Sequence, residues 1–240
     1  MIGDGVLEAI GEELRKHADP ERAESHMRFF RTGPGQYGEG DRFLGVRVPH
    51  IRSAVKAFRG LTPDHCGRLL GSPWHEERLF ALLSMVDLFE RGDEDPREAV
   101  YSLYMASTDR VNSWDLVDLS APGIPGARLF HRDRSPLYEL ARNGHLWERR
   151  IAVVATHYFI RRNDFDDTLG ISEVLLKDGH DLIHKAVGWM LREVGKRDLA
   201  AEESFLKIHC REMPRTMLRY AIERFPQERR LAYMEGRHSE

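Results

Sequence analysis

The sequence predicts an all-α fold of stacked helical repeats, and three observations carry that prediction. Strand signals are almost absent beyond residue 48, helical segments follow one another across short linkers, and the apolar helices align on a small central residue about every 35 residues. The 240 residues, 41% hydrophobic and 31% charged, can bury a substantial core and describe an ordinary globular protein rather than a disordered one.

At the N-terminus, Val6, Ile10 and Leu14 form one stripe of a helix that Asp19-Pro20 should break, and residues 21–30 read as a second helix. Arg31-Thr32-Gly33-Pro34-Gly35-Gln36-Tyr37-Gly38-Glu39-Gly40-Asp41 follows. Gly33, Gly35 and Gly38 satisfy G-x-G-x-x-G, but that fingerprint works only as the turn between a strand and a helix, and here an amphipathic helix precedes it. The stretch is therefore read as an irregular loop. Further helices are expected at about 49–59, 63–70, 75–91, 96–107, 111–121, 136–142, 146–162, 167–177, 181–197, 201–210, 214–225 and 226–235, separated by Gly, Pro, Asn and Asp. The organisation expected is one domain over 1–240, with N-terminal helices and the glycine-rich loop in 1–60 and stacked repeats in 61–240.

The repeat shows when Ala81, Val117, Ala152, Ala186 and Ala221 are aligned. Two helices per unit without strands predict an α-solenoid in which each pair buries its face against its neighbours. Just before each central residue stand Arg78, Trp114 with Asp115, Arg149 with Arg150, His184 with Lys185, and Arg219. In a solenoid such positions align, so a basic concave track is expected although the net charge is −3. Such a track suits a phosphate backbone, while protein binding is the commoner use of these arrays.

Asn112-Ser113-Trp114-Asp115-Leu116-Val117-Asp118-Leu119-Ser120 places an indole and two carboxylates on a helix that otherwise reads as buried. Trp114 and Asp118, at i and i+4, share a face. Pro122, Gly123, Pro125 and Gly126 follow, and should end or kink this helix.

Ser113-Trp114-Asp115-Leu116-Val117-Asp118, Leu146-Trp147-Glu148-Arg149-Arg150 and Lys185-Ala186-Val187-Gly188-Trp189-Met190-Leu191-Arg192-Glu193 resemble the AlkD-like family of DNA alkylation repair glycosylases. The likeness extends over most of the chain, including residues 37–49 and 213–221. It implies a right-handed α-solenoid of HEAT-like repeats whose concave basic face cradles duplex DNA and releases N3- and N7-alkylated purines. It also implies that Asp118 is the catalytic carboxylate, that Trp114 and Trp189 flank the lesion nucleotide, and that Arg150 grips the backbone nearby. Arg47, Arg149, Lys185, Arg192, Arg215 and Arg219 are the further DNA-contact candidates. Asp115 reads as a solvated or capping carboxylate outside the catalytic set.

No cofactor is expected. His180-Asp181-Leu182-Ile183-His184 approaches H-E-x-x-H, but Asp is shorter than Glu and no third ligand follows, so no metal is expected either. Cys66 and Cys210 lack CxxC spacing and read as free buried thiols. With no apolar run of membrane length and no signal-peptide pattern, a cytoplasmic monomer is expected, with alkylated duplex DNA as its partner. A non-catalytic binder of distorted or branched DNA is the alternative from another class, and a protein-binding array is the third.

Overall fold

The computed structural model describes residues 4–237, and among them every regular element is helical. An isolated parallel bridge joins Arg42 to Trp74. The chain divides into two compact units, Met1–Ser120 and Ala121–Glu240.

The first unit holds α1 (Asp4–Arg15), α2 (Pro20–Phe29), α3 (Val48–Ala57), α4 (Pro63–Leu70), α5 (His75–Arg91), α6 (Glu94–Ala106) and α7 (Trp114–Ser120). The expected break between α1 and α2 is present: Asp19 caps α2 by accepting the Arg22 N–H at 3.0 Å, and Pro20 occupies the first turn, where no intrahelical donor is needed. Thr62 caps α4 in a reciprocal box with His65. Helix α5 is buried continuously from His75 to Met85 and packs on α3, α4, α6 and α7, which makes it the axis of this unit. The helix expected at 111–121 begins only at Trp114, because Thr108–Arg110 forms a 3₁₀ turn.

The second unit opens with a π-helical turn, Pro122–Gly126. Its cause is local. Pro125 has no N–H to give the Ala121 carbonyl, so the Gly126 N–H reaches it instead, at 2.9 Å and one residue further on. The chain thus stays helical through the prolines rather than stopping at them. Gly126 is required here by close approach, since a Cβ would lie 2.3 Å from the Ala155 carbonyl oxygen. Then come α8 (Ala127–Leu129), α9 (Ser135–Asn143), α10 (Leu146–Ala155), α11 (His157–Ile160), α12 (Asp166–Val174), α13 (Asp181–Gly195), α14 (Leu199–His209), α15 (Arg215–Ala221) and α16 (Gln227–Met234). The single helix expected at 146–162 is interrupted at Thr156, whose hydroxyl donates to the Val153 carbonyl at 2.6 Å. The helix expected at 214–225 ends at Ala221, followed by the 3₁₀ turn Ile222–Arg224.

Ala81, Val117, Ala152, Ala186 and Ala221 are all fully buried, as the repeat alignment requires. Two residues beyond Ala186, Gly188 lets α13 meet α15 closely: a Cβ there would stand 2.4 Å from the Met217 carbonyl oxygen. The fold is an all-α helical-repeat fold. Cys66 and Cys210 are buried and not joined in a disulfide. No helix of the described residues is long and apolar enough to cross a membrane.

Candidate active site

In the first unit, the segment before α3 is fastened to α5 by one side chain. Glu76, 2% exposed, accepts the backbone N–H groups of Leu44 at 2.8 Å, Gly45 at 2.8 Å and Val46 at 3.1 Å. Three such bonds offset the cost of burying a carboxylate. Gly45 has φ +80°, and a Cβ on it would strike the Asp19 carbonyl oxygen at 2.1 Å, so the position admits only glycine.

Beside Glu76, the His75 ring lies between two carboxylates. Its Nδ1 is 2.8 Å from Asp41 Oδ2 and its Nε2 is 2.8 Å from Asp115 Oδ2. Burial opposes charging this imidazole, but the Asp115 charge and hydrogen bond, followed by those of Asp41, outweigh it and push its pKa up to about 9. The ring is therefore cationic at neutral pH and donates from both nitrogens. The two carboxylates are held below their ordinary range, again against burial, chiefly by His75. Arg78 completes the group by donating to Asp41 Oδ1 at 2.7 Å and to the Ser72 carbonyl at 3.0 Å. Asp115 also accepts from the Ser113 hydroxyl at 2.7 Å. It is neither solvated nor a simple cap, contrary to the expectation from sequence.

On His75 rests a stack of rings that leads to Trp114. Phe43 stacks on His75 with centroids 4.4 Å apart, Phe30 on Phe43 at 5.0 Å, and the Trp114 indole on Phe30 at 5.1 Å, tilted by 11°. Phe29 meets Trp114 edge-on at 5.8 Å. Trp114 thus has one face against the aromatic core and remains partly exposed.

Trp114 and Asp118 line one cleft of about 420 Å³, together with Phe29, Phe30, Phe43, Val48, Leu119, His75 and Asp115. The i, i+4 relation read from the sequence therefore brings both onto a single wall. His26 also lines the cleft, and burial lowers its pKa, which keeps this ring neutral. Beneath α7, the buried Tyr104 hydroxyl bonds Ser120 Oγ at 3.0 Å.

The other candidates behave differently. Arg47 is exposed at the start of α3. In the second unit, Arg150 is 5% exposed and donates to the Leu182 carbonyl at 2.7 Å. Trp189 is half-buried, with its indole N–H donating to Glu193 at 3.1 Å and His157 beside its ring. Arg149 pairs with Asp178 at 2.6 Å, Lys185 with Asp181 at 2.7 Å, and Arg192 with Glu223. Arg215 donates to the Met234 carbonyl at 2.6 Å. Lys185 and Arg219 line a surface depression of about 560 Å³ with Asp181, Thr216, Tyr220 and Glu223. Arg78, assigned to the basic track by the repeat alignment, is instead buried in the Asp41 network. His180 caps α13 by accepting the Leu182 N–H, and His184 bonds the Asp178 carbonyl.

Sequence reasoning missed His75, Asp41 and Glu76. A signal was present in His75-Glu76-Glu77-Arg78, four polar residues opening a helix that is otherwise strongly apolar. Asp41 lay concealed at the end of the glycine-rich loop.

Comparison with known proteins bears on what this arrangement serves. A solved structure described as a predicted DNA alkylation repair enzyme from Enterococcus faecalis superposes with a TM-score of 0.66, at 15% identity, covering 88% of this chain and 98% of that one. At that identity the likeness is one of fold. No curated protein matches the chain in sequence. The family described as DNA alkylation repair enzyme matches residues 10–225, a span that takes in the His75 network, the Trp114–Asp118 wall and all of the second-unit candidates. On that match, the chain belongs to the DNA alkylation repair enzyme family.

Proposed function

We propose that this protein is a monofunctional DNA glycosylase that hydrolyses the N-glycosidic bond of cationic N3- or N7-alkylpurines in duplex DNA. The observation that carries this reading is the shared wall of Trp114 and Asp118 in a cleft where Asp115 is already committed to His75. Alkylation at N3 or N7 leaves the purine positively charged, so the base departs with the bonding electron pair and becomes neutral without a general acid. What must be stabilised is the oxocarbenium-like sugar. A fixed carboxylate in a partly desolvated site does this electrostatically and orients the water that adds to the sugar carbon. Asp118 has this role. The partly exposed indole of Trp114 attracts a cationic nucleotide; Trp189 is a candidate for nucleotide contact in the second unit, and Arg47, Arg149, Lys185, Arg192, Arg215 and Arg219 are the candidates for phosphate contact, whereas Arg150 is held inside on the Leu182 carbonyl.

The test is direct. The protein is incubated with duplex DNA carrying N7-methylguanine or N3-methyladenine, and released base is measured by mass spectrometry. Release above the spontaneous rate is expected, with Asp118→Asn abolishing it while DNA binding persists. Intact binding without release would replace this reading with that of a non-catalytic binder of distorted DNA.

A further inference from the structure

Three of the phosphate-contact candidates in the second unit are already neutralised from within the chain: Arg149 pairs with Asp178, Lys185 with Asp181, and Arg192 with Glu223. A phosphate arriving at any of them must displace a carboxylate. The C-terminal ends of α11 and α13 present the opposite case. Arg161 follows the last residue of α11, Lys196 and Arg197 follow the last residue of α13, and all three are exposed.

These three cations converge on one ring. His157 stands beside the Trp189 indole, with centroids 5.7 Å apart. Burial makes this imidazole harder to protonate, and the charges of Arg161, Lys196 and Arg197 add to that effect against the pull of Glu193. Glu193 is itself occupied, by Lys196 Nζ at 2.6 Å and by the Trp189 indole N–H at 3.1 Å. Asp198, next along the chain, caps α14 by accepting the Ala201 N–H at 3.0 Å. Among the described residues, Arg161 and Arg197 are left with no carboxylate partner.

A cation at a helix C-terminus answers the carbonyl dipole, and one per helix serves that purpose. Here α13 ends in two, and Arg161 adds a third from the helix packed against it. Like charges gathered in this way repel one another and work against the compact state. An anion placed among them reverses the sign.

We propose that Arg161, Lys196 and Arg197 form a seat for the phosphates of the DNA backbone beside Trp189. The proposal rests on the reading above only for DNA as the partner, and it adds three cations that neither the repeat alignment nor the family resemblance singled out. The two guanidinium groups can fork onto phosphate oxygens, and Lys196 supplies a point charge.

Binding of an unmodified duplex is measured over a series of salt concentrations for the native protein, for the Arg161→Ala/Arg197→Ala double variant, and for Arg230→Ala, which removes an exposed arginine of α16. The double variant should lower the slope of log affinity against log salt by about 2 and the affinity near 0.1 M salt roughly fiftyfold. Arg230→Ala should change neither. An unchanged slope in the double variant overturns the seat, as does an equal loss in Arg230→Ala, which would make the effect one of overall charge. The His157 ring signal, followed by NMR, gives a local reading that needs no variant to fold: it should move when duplex saturates the native protein, and a signal that stays in place overturns the seat. Base release from N7-methylguanine duplex is followed in parallel. Release by the native protein with an unchanged slope in the double variant overturns the seat and leaves the glycosylase reading standing; a lowered slope without release does the reverse.

Discussion

The Nε2–H of His75 donates to Asp115 Oδ2 across 2.8 Å, and this bond ties the first turn of α5 to the first turn of α7. It divides the labour between two carboxylates one turn apart. Asp115 holds the helix in position, and Asp118 faces the cleft beside Trp114.

Asp115→Asn should therefore act mainly on stability. It removes one of the two anions that balance a buried imidazolium, and breaking such a pair costs about 3–5 kcal/mol. Denaturant unfolding is expected to show a loss of that order, and a loss below about 1 kcal/mol would mean that Asp41 alone suffices for His75.

The same network sets a pH dependence. The pKa of His75 is raised in the folded state from 6.5 to about 9, so its contribution is fully present below pH 6.5 and is lost as pH climbs through about 9. At about 1.4 kcal/mol for each tenfold change in proton affinity, the contribution is on the order of 3 kcal/mol. Melting temperatures between pH 6 and pH 10 should fall more steeply for the native protein than for His75→Gln, and parallel curves would refute the assignment.

Glu202 offers an independent case in the second unit. It is 2% exposed, and its Oε1 has no hydrogen-bond partner. Burial, with the neighbouring Glu203 charge, pushes its pKa up from 4.5 to about 8. A folded-state pKa raised in this way favours folding below pH 4.5, and that support is lost as pH rises towards 8. Glu202→Gln should raise the melting temperature, with a gain that grows from pH 5 to pH 8 and then levels off. A gain independent of pH would point to packing instead.

Lys185 tests the surface depression it shares with Arg219. If it contacts a phosphate, Lys185→Ala should weaken binding to duplexes of any sequence and reduce the slope of log affinity against log salt by about 1. An unchanged slope would leave Lys185 with its Asp181 ion pair alone.

The sequence by itself determined the helical order, the repeat centres and the Trp114–Asp118 pairing, because each is set by periodicity along a single helix. Ala81, Val117, Ala152, Ala186 and Ala221 could be read as core since a small residue at the same phase of successive helices has one use. Boundaries at Thr156 and Ala221 escaped that reading, because hydroxyl bonds to the backbone and short 3₁₀ turns leave the apolar pattern intact. Only the tertiary structure decided which charges would be buried. Asp41, His75 and Asp115 come from a loop and two helices, 34 and 40 residues apart, and no local pattern records that they share one proton-bearing ring. Arg78 and Arg150 stand just before their repeat centres as Arg149 and Arg219 do, yet they lie at 5% exposure with internal carbonyl and carboxylate partners. Whether an arginine faces solvent or a buried acceptor depends on what another part of the chain brings to it, and that is decided by packing.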